Sequence, residues 1–426
     1  MSKNMEKMRE PKLRFPEFHD AGEWGHAKLR ELAKRVTAKN KGSKVIRVLT
    51  NSAADGIVDQ RDYFDKDIAN QNNLEGYVIV DNGDYVYNPR ISNLAPVGPI
   101  SKNRLGTGVM SPLYSVFRFK CSDNTFYEQY FKTPLWHHYL RTISNSGARH
   151  DRMSITNDDL MDMPLPVPCT KEQQKIADFL SSIDALISAQ DQNVEALKTH
   201  KQGLMQQLFP QDGETVPRLR FPDFWNAGEW DIKPLVELCD VKGGKRIPKG
   251  YGLSQEKTGL PYIRVSDMYM GGVDVSSVLH ISEEVEKSIK NYKISKDDLF
   301  ITVAGTIGVV GEIPDELDNA NLTENANKIV IKCVVKKYLL QYLCSDHLQN
   351  LIASSITNNA QPKLSLERIR NFPIPTPCQV EQQQIADFLS NIDALIIAQS
   401  QKLHILKTHK KGLTQQMFPT ADEVKV

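Results

Sequence analysis

The stretch Glu172–Pro210, EQQKIADFLSSIDALISAQDQNVEALKTHKQGLMQQLFP, returns 209 residues later as Glu381–Pro419, EQQQIADFLSNIDALIIAQSQKLHILKTHKKGLTQQMFP, with 28 of 39 positions identical. Apolar residues recur in both copies at alternating steps of four and three, the period of a coiled-coil seam. We therefore predict two antiparallel helices packed on each other, each about 58 Å long at 1.5 Å per residue. The predicted seam residues are Ile176, Leu180, Ile183, Ile187, Leu197, Leu204, Ile385, Leu389, Ile392, Ile396, Leu406 and Leu413.

A second, shorter repeat precedes the variable part of each half. Pro11–Trp24, PKLRFPEFHDAGEW, recurs as Pro217–Trp230, PRLRFPDFWNAGEW, with 10 of 14 positions identical. The units are too long for a solenoid, so the chain reads as a tandem duplication. The predicted segments are an arm (1–24), a variable domain (25–168), a long helix (169–210), a linker (211–230), a second variable domain (231–377), a second long helix (378–419) and a tail (420–426).

The regions between the repeats do not resemble each other in sequence. Both contain short β-type runs separated by turn signals, and each ends in a proline-spaced segment, MPLPVP at 163–168 and FPIPTP at 372–377, that favours extended backbone. The predicted class is α+β, with two mixed domains separated by the long helices in a pseudo-twofold tandem repeat. Predicted strands are Val45–Leu49, Gly76–Val80, Tyr85–Tyr87, Tyr114–Phe119, Tyr262–Val265, Leu299–Val303, Val309–Glu312 and Ile329–Cys333; predicted helices are Asp123–Ile143 and Lys336–Ile356.

Similar ends with dissimilar middles suggest a shared frame that presents two different recognition surfaces. The alternative is drift of a duplicated domain.

Net charge, cysteine spacing and hydropathy limit the classes of protein to which the chain can belong. The 426 residues carry a net charge of only +1, so contact with nucleic acid must come from local patches. Six cysteines without CxxC spacing predict reduced thiols in a cytoplasmic protein with no metal site. There is no signal-peptide pattern and no apolar run of membrane-spanning length, so we expect no membrane partner.

Motifs for catalysis are missing from the sequence. Tyr87–Arg90 partly matches the Asn-Pro-Pro-aromatic motif of adenine methyltransferases, but it lacks the second proline and the aromatic residue. The glycine-rich stretch Gly305–Gly311 has neither dinucleotide nor phosphate-loop spacing, and we interpret it as a hairpin or a close backbone approach. We predict that the chain is not an enzyme.

Basic residues point instead to phosphate. Between Lys28 and Arg47 there are eight Lys or Arg residues against one Glu, a local charge of +7, although a solvated basic loop would look the same. Arg and Asn are the side chains that discriminate guanine and adenine. Candidate DNA contacts are Lys39, Lys41, Lys44, Asn88, Arg90, Arg104, Arg149 and Arg152 in the first half, and Lys245, Arg246, Arg264, Asn327, Lys328 and Lys363 in the second.

Together these features resemble the specificity (S) subunit of type I restriction–modification systems, over nearly the whole chain. The Glu-Gln-Gln-x-Ile-Ala-x-Phe-Leu-x-x-Ile-Asp opening of both helices, the proline segments and Gly305–Gly308 carry the resemblance. Asn359–Ser365 is similar to a loop that such second domains use near DNA. The resemblance adds Gln361 of this loop and Thr306 of the glycine motif to the candidates. The first half has only a loose equivalent, Ser146–Ser154, and Gly106–Gly108 lacks one residue of the glycine motif.

The resemblance implies a non-catalytic subunit that binds double-stranded DNA with a bipartite recognition sequence. The two variable domains would be target-recognition domains that each read one half-site, and the repeated helices would be spacers that set the gap. Two methyltransferase subunits would carry S-adenosylmethionine, and translocase–nuclease subunits would carry ATP and Mg²⁺. The outer helix faces and the repeated Arg-Phe-Pro segment could dock the methyltransferases.

Two other functions fit parts of the sequence. A stand-alone DNA-binding regulator would use the helices to dimerise, and a coiled-coil adaptor would not touch DNA. A fused modification enzyme is disfavoured by the missing catalytic motifs.

Overall fold

The structure is a computed structural model that describes residues 10–63, 74–144, 151–356 and 362–419. The chain forms two compact units, each described separately below. The first combines the residues up to Ala189 with those from Leu403 onward, and the second runs from Gln190 to Lys402. The domain boundaries drawn from the sequence stay predictions.

The first unit is built on a four-stranded antiparallel sheet in the order β2-β9-β6-β7, with the pairs β1-β10, β3-β4 and β5-β8. Its strands are β1 (Gly25–Lys28), β2 (Ala33–Arg35), β3 (Leu49–Ser52), β4 (Gly56–Asp59), β5 (Val78–Val80), β6 (Tyr85–Tyr87), β7 (Ile100–Lys102), β8 (Gly108–Met110), β9 (Ser115–Phe119) and β10 (Pro164–Val167). Its helices are α1 (Leu29–Leu32), α2 (Gln60–Tyr63), α3 (Thr125–Phe131), α4 (His137–Ile143), α5 (Asn157–Met161) and the first half of α6 (Thr170–Leu208).

An aromatic cluster fills the core of this unit. Tyr85 lies opposite Phe117 in the register of β6 and β9, and the two rings stack with centroids 5.6 Å apart. Cross-strand aromatic pairs of this kind stabilise a sheet beyond the area they bury. Trp24 and Phe418 are buried in the same cluster, so the arm and the end of the second long helix complete the first unit.

The second unit contains the sheet β12-β21-β18-β19, a second sheet β16-β13-β20-β17, and the pairs β11-β22 and β14-β15. Its strands are β11 (Asp231–Pro234), β12 (Cys239–Gly243), β13 (Pro261–Ile263), β14 (Met268–Tyr269), β15 (Gly272–Val273), β16 (Leu279–His280), β17 (Lys293–Ile294), β18 (Leu299–Thr302), β19 (Val310–Glu312), β20 (Ala320–Leu322), β21 (Ala326–Ile331) and β22 (Pro373–Thr376). Its helices are α7 (Leu235–Leu238), α8 (Glu283–Ile289), α9 (Lys336–Leu343), α10 (Asp346–Ser355), α11 (Leu366–Arg370) and the first part of α12 (Gln379–Met417).

The two units share one sheet plan although their sequences differ between the repeats. The strands of the two main sheets correspond in chain order: β2 to β12, β6 to β18, β7 to β19 and β9 to β21. Every pairing in the two sheets is antiparallel. The dissimilar sequences therefore form the same main sheet, and the second unit adds the sheet β16-β13-β20-β17 to it.

The proline-spaced segments are strands rather than free extended connectors. β10 pairs with β1, and β22 pairs with β11, in antiparallel register. Proline at every second position removes the backbone donors from one edge only, so the opposite edge can still pair. The chain thus enters each long helix from a fixed direction.

The two long helices are antiparallel, as polar contacts within each unit show. In the first unit Lys410 forms an ion pair with Asp184. In the second unit Lys201 Nζ lies 2.7 Å from Asp393 Oδ1, and Gln190 Nε2 donates to Gln399 Oε1 at 2.9 Å. All twelve predicted seam residues are buried or half-buried.

The strand Tyr85–Tyr87 has its predicted bounds, and six other predicted strands differ at one or both ends by one to three residues. Three predicted elements differ more. The predicted helix Asp123–Ile143 is two helices, because Pro134 interrupts it. Lys336–Ile356 is also two helices, and the Ser345 side chain caps the second by accepting from the backbone of Leu348. The predicted strand Val45–Leu49 is wrong, since β3 begins at Leu49 and residues 44–47 are irregular.

The repeated Arg-Phe-Pro segments are anchored by a buried ion pair at the start of each long helix. Arg14 Nε donates to Glu172 Oε1 at 2.7 Å, and Arg220 makes the same contact with Glu381 at 2.7 Å. The arginine side chains are 6% and 7% exposed and both carboxylates are 1% exposed. The arginines of this motif are therefore internal and not available to a partner.

Candidate nucleic-acid interface

In the second unit, loops converge where β12 and β18 end and where β19 and β21 begin. The backbone N–H of Lys245 donates to Leu322 O at 2.8 Å, and that of Leu364 donates to Val303 O at 3.0 Å. The contacts bring together segments that are far apart in the sequence. We call this surface loop edge 2, and it comprises residues 244–249, 303–309 and 362–364.

The Gly305–Gly308 loop connects β18 to β19 at the centre of loop edge 2, which confirms its interpretation as a hairpin. The Thr302 hydroxyl donates to the carbonyl of Thr306 at 2.5 Å and so closes the loop. Gly308 has a φ of +87°, and a Cβ there would lie 2.9 Å from Ile352. Glycine is required for this geometry, and Thr306 is left exposed at the tip.

Three basic side chains lie on loop edge 2. Lys245 is exposed, with Nζ 5.6 Å from the centroid of the Tyr292 ring. Arg246 is exposed and forms an ion pair with Glu324. Lys363 is exposed, and no ion pair links it to the part of the chain that the structure describes. Loop edge 2 therefore presents exposed cations on two of its three segments, 244–249 and 362–364.

Other candidates of the second half have internal partners. Arg264 Nη2 and Nε both bind Asp267, a buried carboxylate whose hydrogen bond raises the pKa of Arg264. Asn327 is buried on β21. Lys328 Nζ donates to the backbone carbonyl of Lys293 at 2.5 Å. We leave these three residues out of the interface, because binding DNA would require each side chain to leave its present contacts or its buried position.

The equivalent sheet edge of the first unit has the same arrangement, and we call it loop edge 1. Its central loop follows β6, and a β-bridge joins Arg90 to Arg152. The backbone N–H of Met153 donates to Pro89 O at 2.8 Å, so the segment before α5 lies beside this loop as 362–364 lies beside Gly305–Gly308. Loop edge 1 comprises residues 36–47, 88–99 and 151–155.

Arg90 and Arg152 are the prominent cations of loop edge 1. Arg90 is exposed. Arg152 is half-buried; its Nη2 lies 3.4 Å from Asp151, and its buried Nε has no hydrogen-bond partner among the described residues. Buried polar groups in proteins are nearly always bonded, so this donor is suited to an acceptor supplied by a ligand.

The basic segment from Lys28 to Arg47 is partly neutralised in the folded chain. Lys28 and Arg30 pair with Asp162, and Arg47 Nε lies 2.9 Å from Asp59. The other five are exposed and form no ion pair with the described residues; they are Lys34, Arg35, Lys39, Lys41 and Lys44. The cluster that faces solvent is therefore smaller than the sequence count of +7.

Two further candidates of the first half already bind other residues of the chain. Two more candidates, one from each half, lie outside the described residues. Asn88 is buried, and its Nδ2 donates to the carbonyl of Asn51 at 2.9 Å. Arg104 makes a bidentate contact with Glu128 at 3.0 and 2.6 Å, and this contact raises the pKa of Arg104. The candidates not covered by the structure are Arg149 and Gln361.

The short motif Gly106–Gly108 is not the topological equivalent of Gly305–Gly308. It leads into β8, which pairs with β5 outside the main sheet, whereas Gly305–Gly308 connects β18 to β19. The matching loop in the first unit is 88–99, between β6 and β7. Comparison of the sequences did not identify this correspondence, because loop 88–99 and the Gly305–Gly308 loop differ in length and composition.

The described residues contain no cluster of His, Cys, Asp and Glu suited to a metal ion. Among them, no helix is long and apolar enough to cross a membrane.

A family model, the type I restriction modification DNA specificity domain, matches residues 70–198 and 227–408. The two matches cover more than half of the chain, one in each half. The chain belongs to this family.

Curated members of the specificity family are similar across much of their length. The EcoBI specificity subunit of Escherichia coli is 24% identical over 66% of this chain and 62% of its own length. The MjaVIII specificity subunit of Methanocaldococcus jannaschii is 25% identical over 58% of this chain and 59% of its own length. The matched part thus spans about three fifths of these relatives.

Solved structures of type I systems share the fold. A chain from a study of complex assembly and conformational transition of the type I R-M system has a TM-score of 0.57 at 16% identity, covering 93% of this chain and 97% of that chain. The S subunit from M. genitalium has a TM-score of 0.55 at 15% identity, covering 97% and 100%.

Each unit of this specificity-family chain also presents a partly exposed apolar patch on its long helix. In the first unit Phe15 of the Arg-Phe-Pro segment packs edge-on against Phe179, with centroids 5.6 Å apart, and Leu186 lies two turns further along α6 with 50% of its surface exposed. We call these three residues patch 1.

Patch 2 is the same arrangement in the second unit. Phe221 packs edge-on against Phe388 at 5.7 Å, and Leu395 lies two turns further along α12, 44% exposed. Sequence reasoning did not single out these residues. The available signal was that both helix positions are identical in the two repeats although they lie off the seam.

Proposed function

We propose that the chain is the DNA-specificity subunit of a type I restriction–modification complex. Loop edge 1 and loop edge 2 would each read one half of a bipartite duplex site, and the long helices would set the gap. The observation that carries the proposal is the shared sheet edge, which has one architecture in both units but different exposed side chains. A single reading surface used twice would not need this difference.

The exposed cations suit both parts of DNA recognition. Lys41, Lys44, Lys245 and Lys363 are placed to neutralise phosphates, a contribution that weakens as salt rises. Arg90 and Arg246 have the planar donor pair that binds guanine in the major groove. Arg246 would exchange the carboxylate of Glu324 for a base or phosphate acceptor.

The chemistry would come from partners. We assign S-adenosylmethionine to methyltransferase subunits, and ATP and Mg²⁺ to translocase–nuclease subunits, because the sequence of this chain lacks motifs for either reaction. Patches 1 and 2 are the proposed docks for two copies of the methyltransferase, since the same exposed apolar group occurs once in each unit. Exposed patches of this kind mark interaction surfaces.

The direct test is to map methylated adenines genome-wide in cells with and without the gene. We expect one split motif with a fixed internal gap, present only with the gene. Arg90→Ala with Arg152→Ala should weaken or relax one half of that motif, and Lys245→Ala with Lys363→Ala the other half. Each good base contact contributes roughly 1–3 kcal/mol of discrimination.

Lys198→Ala is the matched control, because this exposed lysine lies on the long helix α6, belongs to neither loop edge and pairs with Glu195 on the same helix. It should leave the motif unchanged. A continuous motif, or an identical change from both loop-edge variants, would contradict the proposal. Sequence-specific binding by the isolated chain without any methyltransferase would favour a stand-alone regulator instead.

A further inference from the structure

The two proposed docks share a frame but differ in one neighbouring ring. Trp225 Nε1 donates to the carbonyl of Arg220 at 2.9 Å, and His19 Nε2 lies 3.1 Å from the equivalent carbonyl of Arg14. The same hydrogen bond thus holds each ring against the backbone of the arginine that precedes the phenylalanine of the patch. Trp225 is 69% exposed, so patch 2 adds a large aromatic surface where patch 1 has an imidazole.

Patch 1 also has a charged side chain beside it that the second repeat lacks. At patch 1 the ammonium of Lys175 lies 5.5 Å from the Phe15 ring and 3.2 Å from Glu17. The repeat has Gln384 at the position of Lys175, so Phe221 lacks the equivalent ammonium. A partner that covers patch 1 must therefore desolvate an ion pair, which opposes binding.

A third difference lies at the start of the helices. Val380, 69% exposed, replaces Lys171 in the second copy. All three replacements make the second repeat more apolar than the first, and Trp is among the residues that most often dominate binding energy at interfaces. A partner of one kind would therefore gain more by burying patch 2 than patch 1.

We infer that the two patches bind the same methyltransferase subunit with unequal affinity, patch 2 being filled first and patch 1 second. This rests on the proposed function. The complex would form through an intermediate with one methyltransferase, bound at patch 2 beside Trp225. His19 and Trp225 are the residues that set the order.

The test is a titration of the full-length chain with the methyltransferase subunit that co-purifies with it, followed by native mass spectrometry and calorimetry. For the wild type we expect two steps whose dissociation constants differ by at least about tenfold, the range of a single interface anchor. Trp225→His should weaken the first step, and His19→Trp should tighten the second. Tyr251→His, another exposed aromatic position of the second unit, is the matched control and should change neither step.

Blocking variants identify which patch is filled in each step. Leu395→Asp should remove the tight step and leave the weak one, and Leu186→Asp should do the reverse. With both rings exchanged, Leu186→Asp should remove the tight step instead. Two steps that differ only by the statistical factor of identical sites would overturn the inference while leaving the proposed function intact. No complex at all with the wild-type chain would count against the proposed function itself.

Discussion

At the scale of single residues, arginines of this chain have two kinds of surroundings. Some pair with a buried carboxylate and have a structural role, and others are exposed to a ligand. Arg14 and Arg220 have fully buried carboxylate partners, so they hold the repeated segments onto the long helices. Arg90 is exposed at a loop edge. The same residue type therefore has two roles, and the surroundings decide between them.

Arg14→Met should destabilise the first unit by about 3 kcal/mol or more, because removing one partner leaves the Glu172 carboxylate buried and unpaired. Arg218→Met is the control. Its partner Glu214 lies 3.1 Å away on the surface and Arg218 is 64% exposed, so a loss of at most about 1 kcal/mol is expected. Urea denaturation of both variants measures the difference, and similar losses would show that the Arg14 pair is not a structural anchor.

At the scale of elements, polar side chains connect the two long helices to each other and to a recognition domain. In the first unit Asp184 of α6 accepts from Lys410 of α12 and from Gln129 of α3. In the second unit Asp393 of α12 accepts from Lys201 of α6 and from Gln341 of α9. A slip by one heptad would place each carboxylate opposite an apolar residue, so these contacts support one helix register.

The Asp184 contacts should make the first unit sensitive to acid. Burial alone would raise the pKa of Asp184, but hydrogen bonds from Lys410, Gln129 and Lys132 lower it to about 2. The pKa of Lys410 is also lowered, because burial of its ammonium outweighs the attraction of Asp184.

An aspartate with a lowered pKa contributes stability that is present above its unfolded pKa and is lost as the pH falls through the folded value. Between pH 4 and pH 2 the first unit should lose about 1 kcal/mol from this group, a figure reduced for its partial exposure. In Asp184→Asn this part of the acid dependence should vanish, whereas Asp178→Asn, an exposed position on the same helix, should retain it. Urea midpoints at a series of pH values give the measurement. An unchanged pH slope in Asp184→Asn would refute the assignment.

At the scale of the molecule, each unit is completed by the end of a long helix that begins in the other half of the sequence. Phe418 packs against Trp24, Phe126 and Tyr130 in the first unit, with the three ring centroids 6.3, 5.3 and 5.7 Å away. Phe209 packs in the same way on Tyr338 and Tyr342 in the second unit. The duplication thus produces two cores that are each assembled from both halves.

Phe418→Ala should destabilise the first unit by about 3–5 kcal/mol through loss of a buried ring. Phe209→Ala should have the same effect on the second unit. Hydrogen exchange in the full chain separates the two cases. Exchange should accelerate in β6 and β9 for the Phe418 variant, and in β18 and β21 for the Phe209 variant. Acceleration in the wrong unit, or equally in both, would contradict this assignment of the cores.

The sequence by itself determined the elements whose signals are periodic or repeated. The long helices follow from a 3.5-residue apolar period, the repeated segments from identity, and the Gly305–Gly308 hairpin from its glycines. Only the tertiary structure decided that both halves share one sheet plan and which cations are free. Partners such as Glu128 for Arg104 and Glu324 for Arg246 are brought into contact by folding, and sequence spacing does not encode that proximity. Whether a charge faces solvent or a carboxylate is therefore a property of the fold.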